Sequence, residues 1–246
     1  MESVTTRNGT GVGTAAGGRS GKRVAIVRRL LQLGGRFSVE LGIDVDGGEA
    51  EVERWFLAAT LFGTRIPVTL AERAFRVLDE AGVTVRRARS FSWDDLVALL
   101  DEGGYARYDF KTATRLHALC DVLGERFGGR VAAVAEVART SAELESALDE
   151  LPGWGPVTVD VFLRELRGVW SAADPALDER ARAMASHLGL MGERARGPLE
   201  RIRSLAAECG ADPRDLEAAL VRGALAHRRG LDACPGGARC QVLPAR

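Results

Sequence analysis

The chain has 246 residues, with 34 Lys plus Arg against 34 Asp plus Glu, so its formal net charge is zero. That balance excludes a protein coated with nucleic acid by bulk attraction, though not one with local basic patches. No run approaches the ~18 apolar residues of a membrane span, so no membrane contact is expected.

Residues 1–21 are rich in Gly, Ser and Thr and predict a disordered basic tail. Residues 1–36 hold seven basic groups and one acid, Glu2, a local charge of +6, which leaves the other 210 residues at −6. Val24–Leu33 reads as a short helix closed by Gly34 and Gly35. Residues 37–46, FSVELGIDVD, are the one extended piece expected. Helical stretches follow near 50–62, 67–81, 93–101, 110–127, 141–150, 156–168, 177–189, 196–208 and 213–229. Pro67 and Pro156 suit helix starts, and Ser92 and Ser141 suit N-caps. No βαβ alternation, Walker loop or dinucleotide fingerprint occurs, so the fold class is all-α. Four thiols (Cys120, Cys209, Cys234, Cys240) and no secretory leader point to a cytoplasmic protein.

The most informative stretch is Leu148 to Val161, LDELPGWGPVTVDV. A helix stops at Pro152-Gly153-Trp154-Gly155 and a second begins at once. The two glycines let amide N–H groups crowd onto one side, and together with the next helix start they form an anion site suited to a DNA phosphate. Leu148, Leu151, Val157 and Val161 are expected to lock the two helices. The alternative reading is an ordinary αα-corner using the same glycines.

The match extends beyond the hairpin. GGYARYDFKTATRLHALCDVLGERFGGRV (103–131), LPGWGPVTVDVFLREL (151–166) and ALDERARAMASHLGL (176–190) follow in order. Over roughly residues 50–190 the chain resembles the HhH-GPD superfamily of DNA glycosylases, in particular its endonuclease III branch. The resemblance implies a two-lobed helical fold with a helix-hairpin-helix element: residues 22–60 with 170–246 in one lobe and 61–169 in the other. It implies double-stranded DNA carrying a damaged or mismatched base as partner, a monomer in the nucleoid, and hydrolysis of the N-glycosidic bond in base excision repair. A catalytically inactive relative that recognises damaged or kinked DNA is the alternative.

Carried over residue by residue, the catalytic carboxylate is Asp178, eleven residues before Gly189 in the Leu188-Gly189-Leu190 pattern, with Asp174 as alternate. Pro152, Gly153, Trp154, Gly155 and Thr158 form the phosphate-binding hairpin, with Trp154 favoured as a packing plug over a base stacker. Thr64 falls near the position of the family's wedge glutamine, and Arg65 is its stand-in. Tyr105, Arg107, Tyr108 and Asp149 are candidates for the cleft or base pocket, although Asp149 also suits a plain surface acid.

Three departures from the branch carry mechanistic weight. Its Schiff-base lysine position is Val157, which has no nucleophile, so strand cleavage is not expected. Lys111 reads as structural or backbone-contacting, leaving only Lys22 and the N-terminal amine as substitute nucleophiles. Cys234 and Cys240 keep only one interval of the iron–sulfur motif, while Ala224 and Leu231 stand at the two upstream positions. No cofactor or metal is therefore expected, with zinc on Cys209, Cys234, Cys240 and His227 as the outside alternative. Loss of the wedge glutamine implies a lesion preference different from that of pyrimidine-damage enzymes. His117 and His187 read as core or surface residues rather than acid/base groups.

Overall fold

The computed structural model describes residues 14–64 and 66–245. Among these residues the secondary structure is helical throughout. It comprises α1 (Thr14–Leu31), α2 (Phe37–Glu40), α3 (Glu49–Phe62), α4 (Val68–Glu80), α5 (Trp93–Glu102), α6 (Asp109–Phe127), α7 (Ala132–Glu136), α8 (Ser141–Asp149), α9 (Pro156–Glu165), α10 (Glu179–His187), α11 (Pro198–Cys209) and α12 (Pro213–Ala226). Among the described residues, the one β pairing is an isolated bridge between Arg167 and Trp170. Among the described residues, no helix is long and apolar enough to cross a membrane.

The chain divides into two compact units, Arg36–Asp178 and the two flanking segments Met1–Gly35 with Glu179–Arg246. The division differs from the sequence expectation, because α3 belongs with the central segment. The reason lies in its composition. Trp55, Phe56, Leu57, Ala58, Ala59 and Leu61 are all buried, so α3 is apolar nearly all round and runs through a core. It packs on α4, α7 and α9. Trp55 Nε1 donates to the Phe162 carbonyl at 3.1 Å, tying α3 to α9. At its C-terminal end Gly63 meets Thr158, and a Cβ there would lie 1.9 Å from Thr158 Oγ1, so no larger residue fits.

In the same unit α4 shows a conventional stripe, burying Ala71, Ala74, Phe75 and Leu78. Ser92 caps α5 and shares a reciprocal capping box with Asp95. The cap of α8 is Thr140 rather than Ser141: Thr140 keeps extended backbone angles and accepts from Glu143 N–H, whereas Ser141 is already helical. Pro67 likewise sits just outside α4, as its N-cap.

Residues 37–46 are not extended. They form α2 and a short 3₁₀ turn, because the buried Glu165 carboxylate accepts the Phe37 and Ser38 amides at 2.8 and 2.9 Å and holds the start of a helical turn.

In the unit made by the flanking segments, α12 is central and packs on α1, α10 and α11. Part of the expected disordered tail, Thr14–Gly21, belongs to α1; residues 1–13 lie outside the described residues. Beyond α12, residues 227–245 run in short turns. Arg29 of α1 anchors that run, donating to the carbonyls of Ala238, Leu243 and Pro244 at 2.9, 3.3 and 2.8 Å.

Candidate nucleic-acid interface and carboxylate site

The hairpin between α8 and α9 is built on a tight turn. Trp154 N–H bonds back to the Leu151 carbonyl at 3.0 Å, and Gly153 adopts φ +74°, a left-handed angle that glycine tolerates without strain. Helix α9 opens with Pro156, and its first intrahelical bond runs from Val159 N–H to Gly155 O at 3.0 Å. The amides of Val157 and Thr158 precede that bond, and those of Gly153 and Gly155 lie outside the bonds of the turn. A short segment thus offers several donors together with the positive end of a helix.

The helix register differs from the sequence expectation. Leu148 and Leu151 are buried as expected, but Val157 is 53% exposed and the interior positions are Thr158, Val159 and Phe162. The phase of α9 is set by the Gly63–Thr158 approach and by the aromatic cluster beneath it. Trp154 belongs to that cluster: it stacks on Phe56 with centroids 4.2 Å apart, meets Phe162 edge-on, and donates Nε1–H to Thr60 Oγ1 at 3.1 Å. Trp154 therefore plugs the core under the hairpin and presents no face to a base. The Thr158 side chain is also buried, which removes its hydroxyl from any phosphate and leaves only its amide.

One side chain missed by the sequence reading stands at the hairpin. Arg115 of α6 packs on Gly153 so closely that a Cβ there would lie 2.0 Å from its Nε. The guanidinium is half-buried, and among the described residues no carboxylate pairs with it. Burial depresses its pKa, partly offset by Tyr105 nearby. A half-buried cation without a counter-charge is costly, and an anion brought from outside would relieve that cost.

The candidate catalytic carboxylates lie farther along the chain in the same unit. Asp178, the residue before α10, is largely buried, and one of its partners is Arg164 Nη1 at 3.5 Å. Arg164 is itself buried, with its guanidinium over the Phe37 ring and its Nε lacking a hydrogen-bond partner. Asp160 lies one helical turn before Arg164 on α9. Loss of hydration, the Asp178 charge and the Glu145 charge push the Asp160 carboxyl above the usual range, against the pull of Arg164 and Arg167. Asp174, the alternate, is half-exposed and pairs with Arg167 Nη1 at 3.7 Å; Arg167 also donates to the Pro175 and Ala176 carbonyls, fixing this loop.

The remaining candidates separate into two places. Asp149 is exposed and lines a cleft of about 280 Å³ with Glu145, Ser146, Pro156, Val159 and Asp160. Tyr105, Arg107 and Tyr108 line a second cleft of about 220 Å³ with Ile66, Pro67 and Leu70. Tyr105 is buried and donates its hydroxyl to the Leu61 carbonyl at 2.9 Å, with the buried Thr64 Oγ1 beside it. Thr64 therefore faces inward rather than projecting as a wedge. Arg107 lies over the Tyr108 ring. The expectation for Arg65 falls outside the described residues. Lys22 and Lys111 are exposed helix residues.

In the flanking-segment unit, Cys234 and Cys240 lie close to His187 and His227, and one donor atom from each falls within 4.8 Å of all the others. Cys209, at the end of α11, is not in this group, and His187 takes the place expected for it. A four-iron cluster does not fit this set, since it takes four thiolates and the loop supplies two.

No protein-family model, curated protein or solved structure matches the chain.

Proposed function

We propose that the protein is a DNA glycosylase-like base excision repair protein. It binds double-stranded DNA holding a damaged or mismatched base and hydrolyses the N-glycosidic bond without cutting the strand. The observation that carries this reading is the pairing of the hairpin amides with the uncompensated Arg115 guanidinium. Together they make a main-chain and side-chain cradle for a backbone phosphate, a contact that positions DNA without reading sequence.

Asp178 supplies the chemistry. As the base departs, positive charge builds on the sugar, and a carboxylate near the anomeric carbon stabilises it and orients the attacking water. The water oxygen bonds to the anomeric carbon, the glycosidic electron pair leaves with the base, and the water's proton passes to the solvent or the base. Exposed Val157 stands where the resembling enzymes place their amine, so no covalent sugar adduct forms there.

One observation favours a second reading, a catalytically silent protein that binds damaged or kinked DNA: Asp178 is largely buried and already engaged by Arg164.

A panel of lesion-bearing duplexes, treated with hot alkali after incubation, separates the two. Release of a base by the wild-type chain and its loss in Asp178→Asn, with DNA affinity unchanged, supports the hydrolase. Tight binding to abasic-analogue DNA with no release across the panel overturns it in favour of the silent binder. Strong borohydride trapping would overturn the assignment of hydrolysis without lyase chemistry.

A further inference from the structure

We infer that His187, His227, Cys234 and Cys240 form a closed tetrahedral site for one zinc ion, which cross-links the C-terminal run of the chain to α10 and α12. The inference does not rest on the proposed function.

The distances match one ion rather than a disulfide or a cluster. With Zn–S near 2.3 Å and Zn–N near 2.05 Å, a tetrahedron places two sulfurs about 3.8 Å apart and a sulfur and a nitrogen about 3.5 Å apart. Cys234 Sγ and Cys240 Sγ are 3.8 Å apart, and Cys240 Sγ is 3.4 Å from His227 Nε2. A disulfide would bring the sulfurs to about 2.05 Å. In a two-iron centre with mixed ligands, the histidines and cysteines take different irons, which spreads them farther than one shared ion does.

The surroundings prepare each donor. His227 Nδ1 is 2.6 Å from the Gly223 carbonyl. A carbonyl only accepts, so Nδ1 carries the proton and the Nε2 lone pair faces Cys240. This is the tautomer a metal requires, held by a backbone acceptor behind the ring. Gln241 N–H donates to Cys234 Sγ at 3.3 Å, which favours a thiolate. His187 Nε2 is buried without a hydrogen-bond partner. The loop closes tightly over this ring. Gly236 has φ +67°, and a Cβ there would lie 2.6 Å from the His187 carbonyl and 3.1 Å from its imidazole.

Two thiolates and two imidazoles in a tetrahedron are the donor set zinc takes in structural sites, where all four positions belong to the protein. The fold also has a use for such a link. Residues 227–245 contain only two 3₁₀ turns, so little secondary structure holds them.

The test is metal analysis of the full-length chain purified under reducing conditions without chelator, followed by exchange of cobalt(II) into the same protein. The expected result is one zinc per chain and, with cobalt, the intense visible bands of a tetrahedral site carrying thiolate-to-metal charge transfer. Cys234→Ser with Cys240→Ser should abolish both signals, and Cys120→Ser should leave them intact. The cobalt spectrum of the wild-type chain keeps the inference testable if the double variant does not fold. A chain without bound metal that takes up no zinc or cobalt would overturn it. So would an octahedral cobalt spectrum, acid-labile sulfide with iron, or a Cys234–Cys240 disulfide in chain purified under these conditions.

Discussion

Arg115 lies against Gly153 with its guanidinium half-buried and, among the described residues, opposite no carboxylate. Its charge therefore has little to do with holding the fold together. Replacing Arg115 with Met keeps most of its packing and removes a desolvated cation, so the melting temperature should stay level or rise. Affinity for duplex DNA should fall by roughly tenfold or more, the loss of one charge-assisted phosphate contact, and the slope of log affinity against log salt should shrink by about 1. Fluorescence anisotropy over a salt series, beside thermal melts, reads both. Unchanged DNA affinity would remove the hairpin cradle as the argument for DNA.

Trp154 supports the turn from below. Trp154→Ala should cost about 3–5 kcal/mol by opening a cavity beside Phe56 and Phe162. Trp154→Phe keeps the ring contacts and loses the bond to Thr60, about 1 kcal/mol. Chemical denaturation measures both. A core plug requires the Phe variant to bind DNA as the wild type does, and a selective loss of DNA binding in a well-folded Phe variant would restore the base-stacking role.

Glu165 is buried at the end of α9 and receives two amides from the start of α2. Glu165→Gln turns part of the acceptor into a donor facing a donor, so about 1–3 kcal/mol of stability should be lost. Amide hydrogen exchange should show the loss centred on Phe37 and Ser38. Uniform protection in the variant would mean that α2 does not depend on this contact.

Asp160 carries a pH signature. Its carboxyl is raised in the folded chain, so the folded state binds its proton more tightly than the unfolded state. That contribution is fully present below the ordinary aspartate value near 3.8 and is lost as pH rises through the higher folded value. Asp160→Asn should therefore melt slightly above the wild type at neutral pH, and the gain should vanish at pH 3. A gain of the same size at both pH values would show that the charge of Asp160 plays no part.

The helices were legible because Gly and Pro mark their ends: α3 to α6, α8 and α12 fall within a few residues of their expected spans. What failed depended on distant partners. The stretch 37–46 alternates like a strand, and only a carboxylate 128 residues away makes its start helical. Val157 and Val161 have the spacing of a hairpin seam, yet the buried phase of α9 is set by Gly63 and Trp154. Asp160 and Arg164 stand at a readable i, i+4 spacing on α9. Arg115 carried none, because a missing counter-charge is a tertiary property. The same holds for His187, which joins Cys234 and Cys240 from a helix whose sequence reads as ordinary.

The division of the chain has a consequence for its order of folding. Arg36–Asp178 is one unbroken segment and can assemble as soon as it has been synthesised. The other unit needs α1, from before that segment, to meet α10 to α12, from after it, and Arg29 to find carbonyls more than 200 residues away. Until then α1 waits with Val27 and Leu30 uncovered. The central segment therefore acts as a long loop whose early folding brings the two ends within reach, so a mutation that only slows the central segment should surface first as aggregation through α1.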